Sequence, residues 1–235
     1  MTRTVLLHYH LFKNAGTSVD QVLKQNFGSR WVTAEFPTPP QGNTPAVAEW
    51  IRGMPEAVAF STHTALGPIP RIAGVNLITV MLLRDPLDRI RSAYRFERTQ
   101  QAETWGAQLA KAHDFRGYVT TRLGRAGDRQ CRNFQTHRLA SLMPGEGSER
   151  DRAIAALGQL GVVGLVEDFK GTMRRLTQAL RQDFPDFTPS TVRANAARKR
   201  PSGPIGPRLR ALLEEANAED RIVLQAARDM VSELS

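Results

Sequence analysis

The segment F-K-N-A-G-T-S, residues 12–18, carries side chains that could bind a phosphate or sulfate group. Gly16 would let the backbone approach an anion closely, and Thr17 and Ser18 would add hydroxyl donors at the start of a helix. A helix cap alone would also account for these two hydroxyls. Lys13 comes three residues before the glycine, whereas the lysine of the ATP-binding loop directly follows a glycine. The spacing therefore predicts an anion site of a different kind.

A second group of polar residues follows the most apolar stretch of the chain. Residues 76–83 (NLITVMLL) predict a buried strand, and RDPLDRIRSAY comes next. Arg84 suits a bidentate phosphate contact, and Ser92 lies about two helical turns further on if Pro86 begins a helix. Because α/β sheets bind ligands at the carboxyl ends of their strands, we expect these residues at that edge. A local ion pair of Arg84 with Asp85 is the alternative.

The pattern of apolar residues predicts the elements that position these side chains. It indicates four buried strands, at residues 4–12, 57–61, 76–83 and 162–166. Helices alternate with them, at residues 18–27, 46–52, within 88–143 and 169–184, and two more lie near the C terminus. The alternation predicts an α/β fold of three layers, with a central, mainly parallel sheet flanked by helices. We expect one domain, residues 1–235, because the chain has no obvious linker.

Composition limits the possible partners. The formal net charge of +9 favours an anionic partner such as a nucleotide, an acidic polysaccharide or nucleic acid. Cys131 is the only cysteine, which excludes an intramolecular disulfide and a cysteine-built metal site and favours a reducing compartment. No run of about 18 apolar residues occurs, so we expect no transmembrane segment and a soluble, cytoplasmic protein.

Taken together, FKNAGTS and LLRDPLDRIRSAYRF resemble motifs of the sulfotransferases that use 3′-phosphoadenosine 5′-phosphosulfate (PAPS). The chain is most similar to the carbohydrate-modifying branch, which includes the heparan sulfate 2-O-sulfotransferases. NFQTHRLA and VVGLVEDF are similar to weaker family signatures, so the resemblance extends from residue 4 to about residue 200. It implies a P-loop-like sulfotransferase fold and transfer of a sulfuryl group from PAPS to an acceptor hydroxyl. The product would be adenosine 3′,5′-bisphosphate (PAP), and no metal would be needed.

The resemblance also implies roles for individual residues. The first family motif commonly reads P-K-T-x-G-T-[ST] and binds the 5′-phosphosulfate, a role that falls to Lys13, Asn14, Ala15, Gly16, Thr17 and Ser18. Lys13 would also be catalytic, because it can stabilise charge on the leaving phosphate. The second motif reads R-D-P-x-x-R-x-x-S-x-Y and binds the 3′-phosphate through Arg84 and Ser92. Phe12 replaces the usual proline and Asn14 the usual threonine, so the motif alone does not predict the shape of the loop.

Transfer to an alcohol requires a general base for the hydroxyl proton, and histidine suits this role near neutral pH. Of the five histidines, only His63 is predicted to follow the end of a strand. In the related 2-O-sulfotransferases a histidine after the corresponding strand is the proposed base, so the resemblance implies that His63 is catalytic. His137 and Glu35 remain alternatives, and His10 is expected to pack or bond locally within the first strand.

The segment of residues 193–210 is rich in arginine and lysine. The family has a comparable basic loop late in the chain, and the resemblance implies that Arg198, Lys199 and Arg200 bind the nucleotide. A solvated basic loop is the alternative. The segment has no aromatic residue on which a base could stack, which argues against a nucleic-acid partner.

Two other functions fit parts of the sequence. A P-loop-type small-molecule phosphotransferase could use Asp85 as a metal ligand, but no lysine directly follows a glycine anywhere in the chain. A non-catalytic binder of acidic polymers would account only for the positive charge. The sulfotransferase hypothesis accounts for both motifs and their order. Its acceptor is expected to be a glycan or another small molecule with a hydroxyl group.

Overall fold

Residues 2–189 and 205–233, which the computed structural model describes, fold around a sheet of five parallel strands. The strands are β1 (Arg3–Tyr9), β2 (Trp31–Thr33), β3 (Ala59–Thr62), β4 (Val75–Leu83) and β5 (Val162–Leu165). Their order in the sheet is β2-β3-β1-β4-β5, and every neighbouring pair is parallel. The predicted three-layer α/β fold is confirmed.

Ten α-helices lie in this described part of the chain. They are α1 (Gly16–Phe27), α2 (Thr44–Gly53), α3 (Pro86–Thr99), α4 (Trp105–Ala112), α5 (Phe115–Gly124), α6 (Phe134–Ala140), α7 (Glu149–Leu157), α8 (Phe169–Leu180), α9 (Pro207–Ala216) and α10 (Ala218–Glu233). A single 3₁₀ turn, Gly28–Arg30, leads from α1 into β2. Among these helices, none combines the length and the apolar character that crossing a bilayer requires.

Helices cover both faces of the sheet because successive strand residues point to opposite sides. On one face Leu6 and Leu82 pack in a cluster with residues of α1 and α8 such as Val19 and Met173. The other face forms a larger cluster with α2, α6, α7 and α10. A separate cluster joins α3, α4, α5 and α9 and encloses Cys131. Burial raises the pKa of the Cys131 thiol to about 12.

Strand β2 and helix α7 were not predicted from the sequence, and strand β1 ends earlier than predicted. Strand β2 has three residues, none of them fully buried, so it carries little apolar pattern. Helix α7 begins with the polar stretch Glu149-Arg150-Asp151, which hides its apolar face. Strand β1 ends at Tyr9 rather than at residue 12, so His10 belongs to the loop that follows it.

The loops after β1 and β4 are joined by one buried side chain from α6. The Gln135 amide oxygen accepts hydrogen bonds from the Arg84 backbone N–H and from Asn14 Nδ2, both at 2.8 Å. Its Nε2 donates to the Arg84 carbonyl at 2.8 Å. Gln135 itself is held because its backbone N–H donates to the carboxylate of Asp220, on α10, at 3.2 Å. Each loop is therefore fixed relative to the other.

We expect Gln135→Ala to lower the free energy of unfolding by about 2–3 kcal/mol, because it leaves several buried polar groups without partners. Urea unfolding monitored by circular dichroism measures the change. The matched control is Gln25→Ala, at an exposed position of α1, which should change stability by less than about 0.5 kcal/mol. Equal stability of the two variants would contradict the role given to Gln135.

Candidate active site

The ends of three neighbouring strands meet at one place on the carboxyl edge of the sheet. Strand β1 lies between β3 and β4 in the sheet. After β1 the chain continues to β2 and β3 on one side of β1, and it then crosses to β4 on the other side, so the direction changes at β1. Crevices at such a change of direction are where open α/β sheets bind ligands. The residues that follow these strands are Lys13, His63 and Arg84, so the structure brings the three principal predicted positions to one edge.

The loop after β1 has the backbone form of an anion site. Lys13 and Ala15 both have left-handed conformations, with φ of 66° and 61°, on either side of Asn14. Alternation of this kind turns successive N–H groups toward one side. The N–H groups of Ala15, Gly16 and Thr17 meet no acceptor within the described residues, and no acidic side chain occupies the first turn of α1. These donors and the positive end of α1 suit a phosphate or sulfate group.

The side chains of this loop divide between holding it and facing solvent. Asn14 is 1% exposed, and its Nδ2 donates to the Leu82 carbonyl at 2.7 Å as well as to Gln135. Its side chain therefore anchors the loop. Thr17 is exposed, whereas Ser18 is buried at the base of α1. Of the two predicted hydroxyl donors, only that of Thr17 is at the surface.

Lys13 and Arg84 are in direct contact through the backbone. Arg84 Nη1 donates to the Lys13 carbonyl at 2.9 Å, which places the end of β4 against the loop after β1. The Lys13 ammonium lies 4.2 Å from the ring centroid of Phe96, a residue of α3. Burial, with a smaller contribution from the positive charge of Arg84, lowers the pKa of Lys13 below its ordinary value. The two predicted motifs thus form one cationic site.

Helix α3 carries the rest of the second motif. Asp85 caps this helix, because its carboxylate accepts from the Asp88 N–H at 2.9 Å. Ser92 is half-buried. Arg89 is fully buried, donates to the Gln130 carbonyl and lies 4.4 Å from the Phe134 ring centroid, so its role is structural. The predicted nucleotide-binding residues of the basic loop, Arg198, Lys199 and Arg200, lie outside the described residues.

His63 directly follows β3, as predicted, and it is paired with Glu35. The Nδ1 atom of His63 lies 2.6 Å from Glu35 Oε1, and its backbone N–H donates to the same carboxylate at 3.2 Å. Burial tends to raise the pKa of Glu35, but hydrogen bonds from His63 and Thr64 outweigh it and lower the pKa. Arg138 fixes the His63 backbone by donating to its carbonyl at 2.9 Å. The predicted base His63 and the alternative base Glu35 therefore form one unit, in which the carboxylate orients the imidazole.

His10 also directly follows a strand, which corrects the expectation that His63 alone does so. Its ring centroid lies 3.9 Å from that of His63, and its Nδ1 lies 2.8 Å from Asp20 Oδ2. The other oxygen of Asp20 lies 2.9 Å from His8 Nδ1. Burial would raise the pKa of Asp20, but these two imidazole contacts hold it far below its ordinary range. His10 thus bonds locally, as predicted, yet it also touches the candidate base.

Gly16 has a second use in this arrangement. A Cβ atom at this position would lie 2.0–2.5 Å from atoms of the His10 ring, so only glycine lets the ring pack there. The same residue is the first of α1, at the positive end of the helix. Gly16 therefore links the anion loop to the histidine cluster.

The side chains of His8, His10 and Asp20 offer ligand atoms within 4.8 Å of one another and could in principle hold a divalent cation. Their nitrogen–oxygen distances of 2.8 and 2.9 Å are those of hydrogen bonds, which already satisfy both carboxylate oxygens.

His137, the other alternative base, has its Nδ1 3.2 Å from Glu149 at the start of α7. Glu149 also accepts from Arg129, so His137 belongs to a surface ion-pair group.

Three residues of the site were missed in the sequence: Asp20, Gln135 and Phe96. A signal existed for Asp20, because His8 and His10 stand two residues apart at the end of the first strand and an acidic residue follows on the next helix. Gln135 lies inside NFQTHRLA, where the histidine suggested a base but nothing indicated that the amide would join two loops. Nothing in the sequence indicated that Phe96 contacts Lys13.

Comparison with known proteins gives one full-length relative. No model of a known protein family matches the sequence. A protein from Archaeoglobus fulgidus, described as uncharacterized, is 37% identical over 255 aligned residues, which cover 99% of each chain. The aligned region is thus almost the whole length of both chains. The chain therefore belongs to the same family as this archaeal protein.

Proposed function

We propose that the protein is a PAPS-dependent O-sulfotransferase that transfers a sulfuryl group to an acceptor hydroxyl, with a carbohydrate as the favoured acceptor class. The observation that carries this proposal is the 2.9 Å hydrogen bond from Arg84 to the Lys13 carbonyl. It joins the two motifs whose resemblance assigns them to opposite ends of one donor molecule. The N–H groups of Ala15, Gly16 and Thr17, which meet no acceptor within residues 2–189 and 205–233, follow Lys13 in the same loop.

The donor would span both loops. The backbone donors of Gly16 and Thr17, together with the Lys13 ammonium, would bind the 5′-phosphosulfate. Arg84 and Ser92 would bind the 3′-phosphate, and the bond between Arg84 and the Lys13 backbone would keep the two subsites at a fixed separation. Asn14, Ala15 and Ser18 would shape the loop, since the first and last of these side chains are buried.

His63 would act as the general base. Its Nδ1 is held by Glu35, which leaves Nε2 to accept the acceptor's hydroxyl proton. The acceptor oxygen would attack sulfur in line, the bond from sulfur to the bridging phosphate oxygen would break, and PAP would leave. Lys13 would stabilise the negative charge that develops on that oxygen. Glu35 would stabilise the imidazolium that forms, as the carboxylate does in a serine–histidine–aspartate triad.

The two alternative functions have less support. A phosphotransferase would need a metal-ligand carboxylate, and Asp85 is already engaged as the cap of α3. A passive binder of acidic polymers gives no reason for Lys13 and Arg84 to meet at one strand edge beside a paired histidine and carboxylate. The positive charge of the chain is also compatible with an acidic glycan as acceptor.

Nucleotide selectivity tests the proposal without knowledge of the acceptor. By calorimetry in excess EDTA, we expect PAP to bind more tightly than adenosine 5′-monophosphate, because only PAP carries the 3′-phosphate. Arg84→Ala should weaken PAP binding by about 1–3 kcal/mol and change binding of the monophosphate much less. Equal loss for both nucleotides would remove Arg84 from the 3′ site. Tight binding of ATP that requires magnesium would favour the phosphotransferase.

Lys13→Ala should reduce transfer from radiolabelled PAPS by about 10²–10³-fold, because one electrostatic contact to the leaving group is lost. The assay uses an acceptor found by screening glycans and small alcohols with the labelled donor. Lys24→Ala, at an exposed position of α1, is the matched control and should transfer like wild type. Near wild-type turnover by the Lys13 variant would exclude this lysine from the mechanism.

His63→Ala should lower kcat by about 10²–10⁴-fold and leave PAP affinity almost unchanged, because the imidazole would contact the acceptor and not the nucleotide. His137→Ala is the control, since that ring is paired with Glu149 on the surface. A loss of rate confined to the His137 variant would show that the wrong base has been chosen.

A further inference from the structure

Phe96 is a large apolar residue at the candidate active site, and the proposed mechanism gives it no role. It is 40% exposed on α3, yet the Lys13 ammonium lies 4.2 Å from its ring centroid. Phe12, which directly precedes Lys13, packs edge-to-face against the same ring, with centroids 5.6 Å apart and an interplanar angle of 74°. The Lys13 ammonium also lies 5.9 Å from the Phe12 centroid. Two aromatic rings therefore surround one lysine.

Attraction between an ammonium and the face of an aromatic ring restricts the position of the charge. A lysine side chain is a flexible stem of four carbons, and holding its end in one place normally costs conformational entropy. Here the lysine backbone is also fixed, because its carbonyl accepts from Arg84. The ring adds the restraint at the other end of the side chain.

The place of Phe96 on α3 relates it to the donor site. It lies four residues after Ser92, so the two side chains are neighbours on one face of the helix. That face carries the candidate 3′-phosphate residue and the ring that contacts Lys13. An ammonium held there lies between the anion loop and α3.

We propose that Phe96 is a positioning residue for Lys13 and forms with Phe12 an aromatic seat that holds the ammonium in place before the donor binds. The inference rests on the proposed function. The seat also gives a physical reason for phenylalanine at position 12, where the resembling motif has proline, because proline has no aromatic ring for the edge-to-face contact with Phe96 or for the Lys13 ammonium. A lysine held in advance needs less rearrangement when charge develops on the leaving phosphate.

The decisive comparison is Phe96→Leu against Phe96→Tyr, since leucine keeps apolar volume without a π face and tyrosine keeps the ring. In Phe96→Leu we expect kcat with PAPS to fall by about 2- to 30-fold. PAP affinity should stay within about twofold, and Phe96→Tyr should restore kcat. Phe184→Leu is the matched control: it makes the same change in another edge-to-face pair, with Phe27, in the cluster beneath α8.

A spectroscopic readout tests the contact apart from activity. The chain has five lysines, so lysine-selective labelling with a Lys13→Arg reference assigns the Lys13 ε-protons by NMR. They should be shifted upfield by the ring in the wild-type and Phe96→Tyr proteins, and should lose that shift in Phe96→Leu. In an active enzyme, an unchanged kcat or an unchanged Lys13 shift in Phe96→Leu would overturn the seat alone. Absence of any PAPS turnover by wild-type protein would overturn the proposed function and, with it, the seat's catalytic role.

Discussion

The candidate site depends on the hydrogen bonds that the buried Gln135 side chain makes to the loops after β1 and β4. Parallel strands bring loops to one edge, but they do not set the distance between them. The amide of Gln135 uses both of its polar atoms here. Its oxygen accepts from Asn14 Nδ2 and the Arg84 N–H, and its nitrogen donates to the Arg84 carbonyl. The separation of Lys13 from Arg84 is therefore set by helix α6, whose buried Gln135 side chain bonds to both loops.

The polar side chains of the candidate site fall into two groups. The cationic groups, Lys13 and Arg84, flank the positive end of α1. The acid–base groups lie on the β3 side, where His63 with Glu35 touches His10 with Asp20. His63 is oriented by a hydrogen bond from Nδ1 to Glu35, and His10 by one from Nδ1 to Asp20, whose other oxygen binds His8. The site therefore separates a region suited to binding anions from a region suited to moving protons.

The sequence was sufficient for features set by local chemistry. The apolar run 76–83 predicted β4, and the position after a short apolar segment predicted the place of His63. Contacts between distant segments could not be read in this way: Glu35 meets His63 only because β2 pairs with β3, and β2 is too short to show a pattern. Asn14 looked like a ligand-facing loop residue, but it points inward because the acceptors it needs come from β4 and α6.

The packing of the His10 ring against Gly16 makes the residues allowed at position 16 depend on the residue at position 10. Any side chain at position 16 would collide with an imidazole at position 10, and a smaller residue at position 10 would free position 16 and remove the contact of His10 with Asp20. Position 16 can therefore accept a side chain only where position 10 no longer carries the imidazole ring.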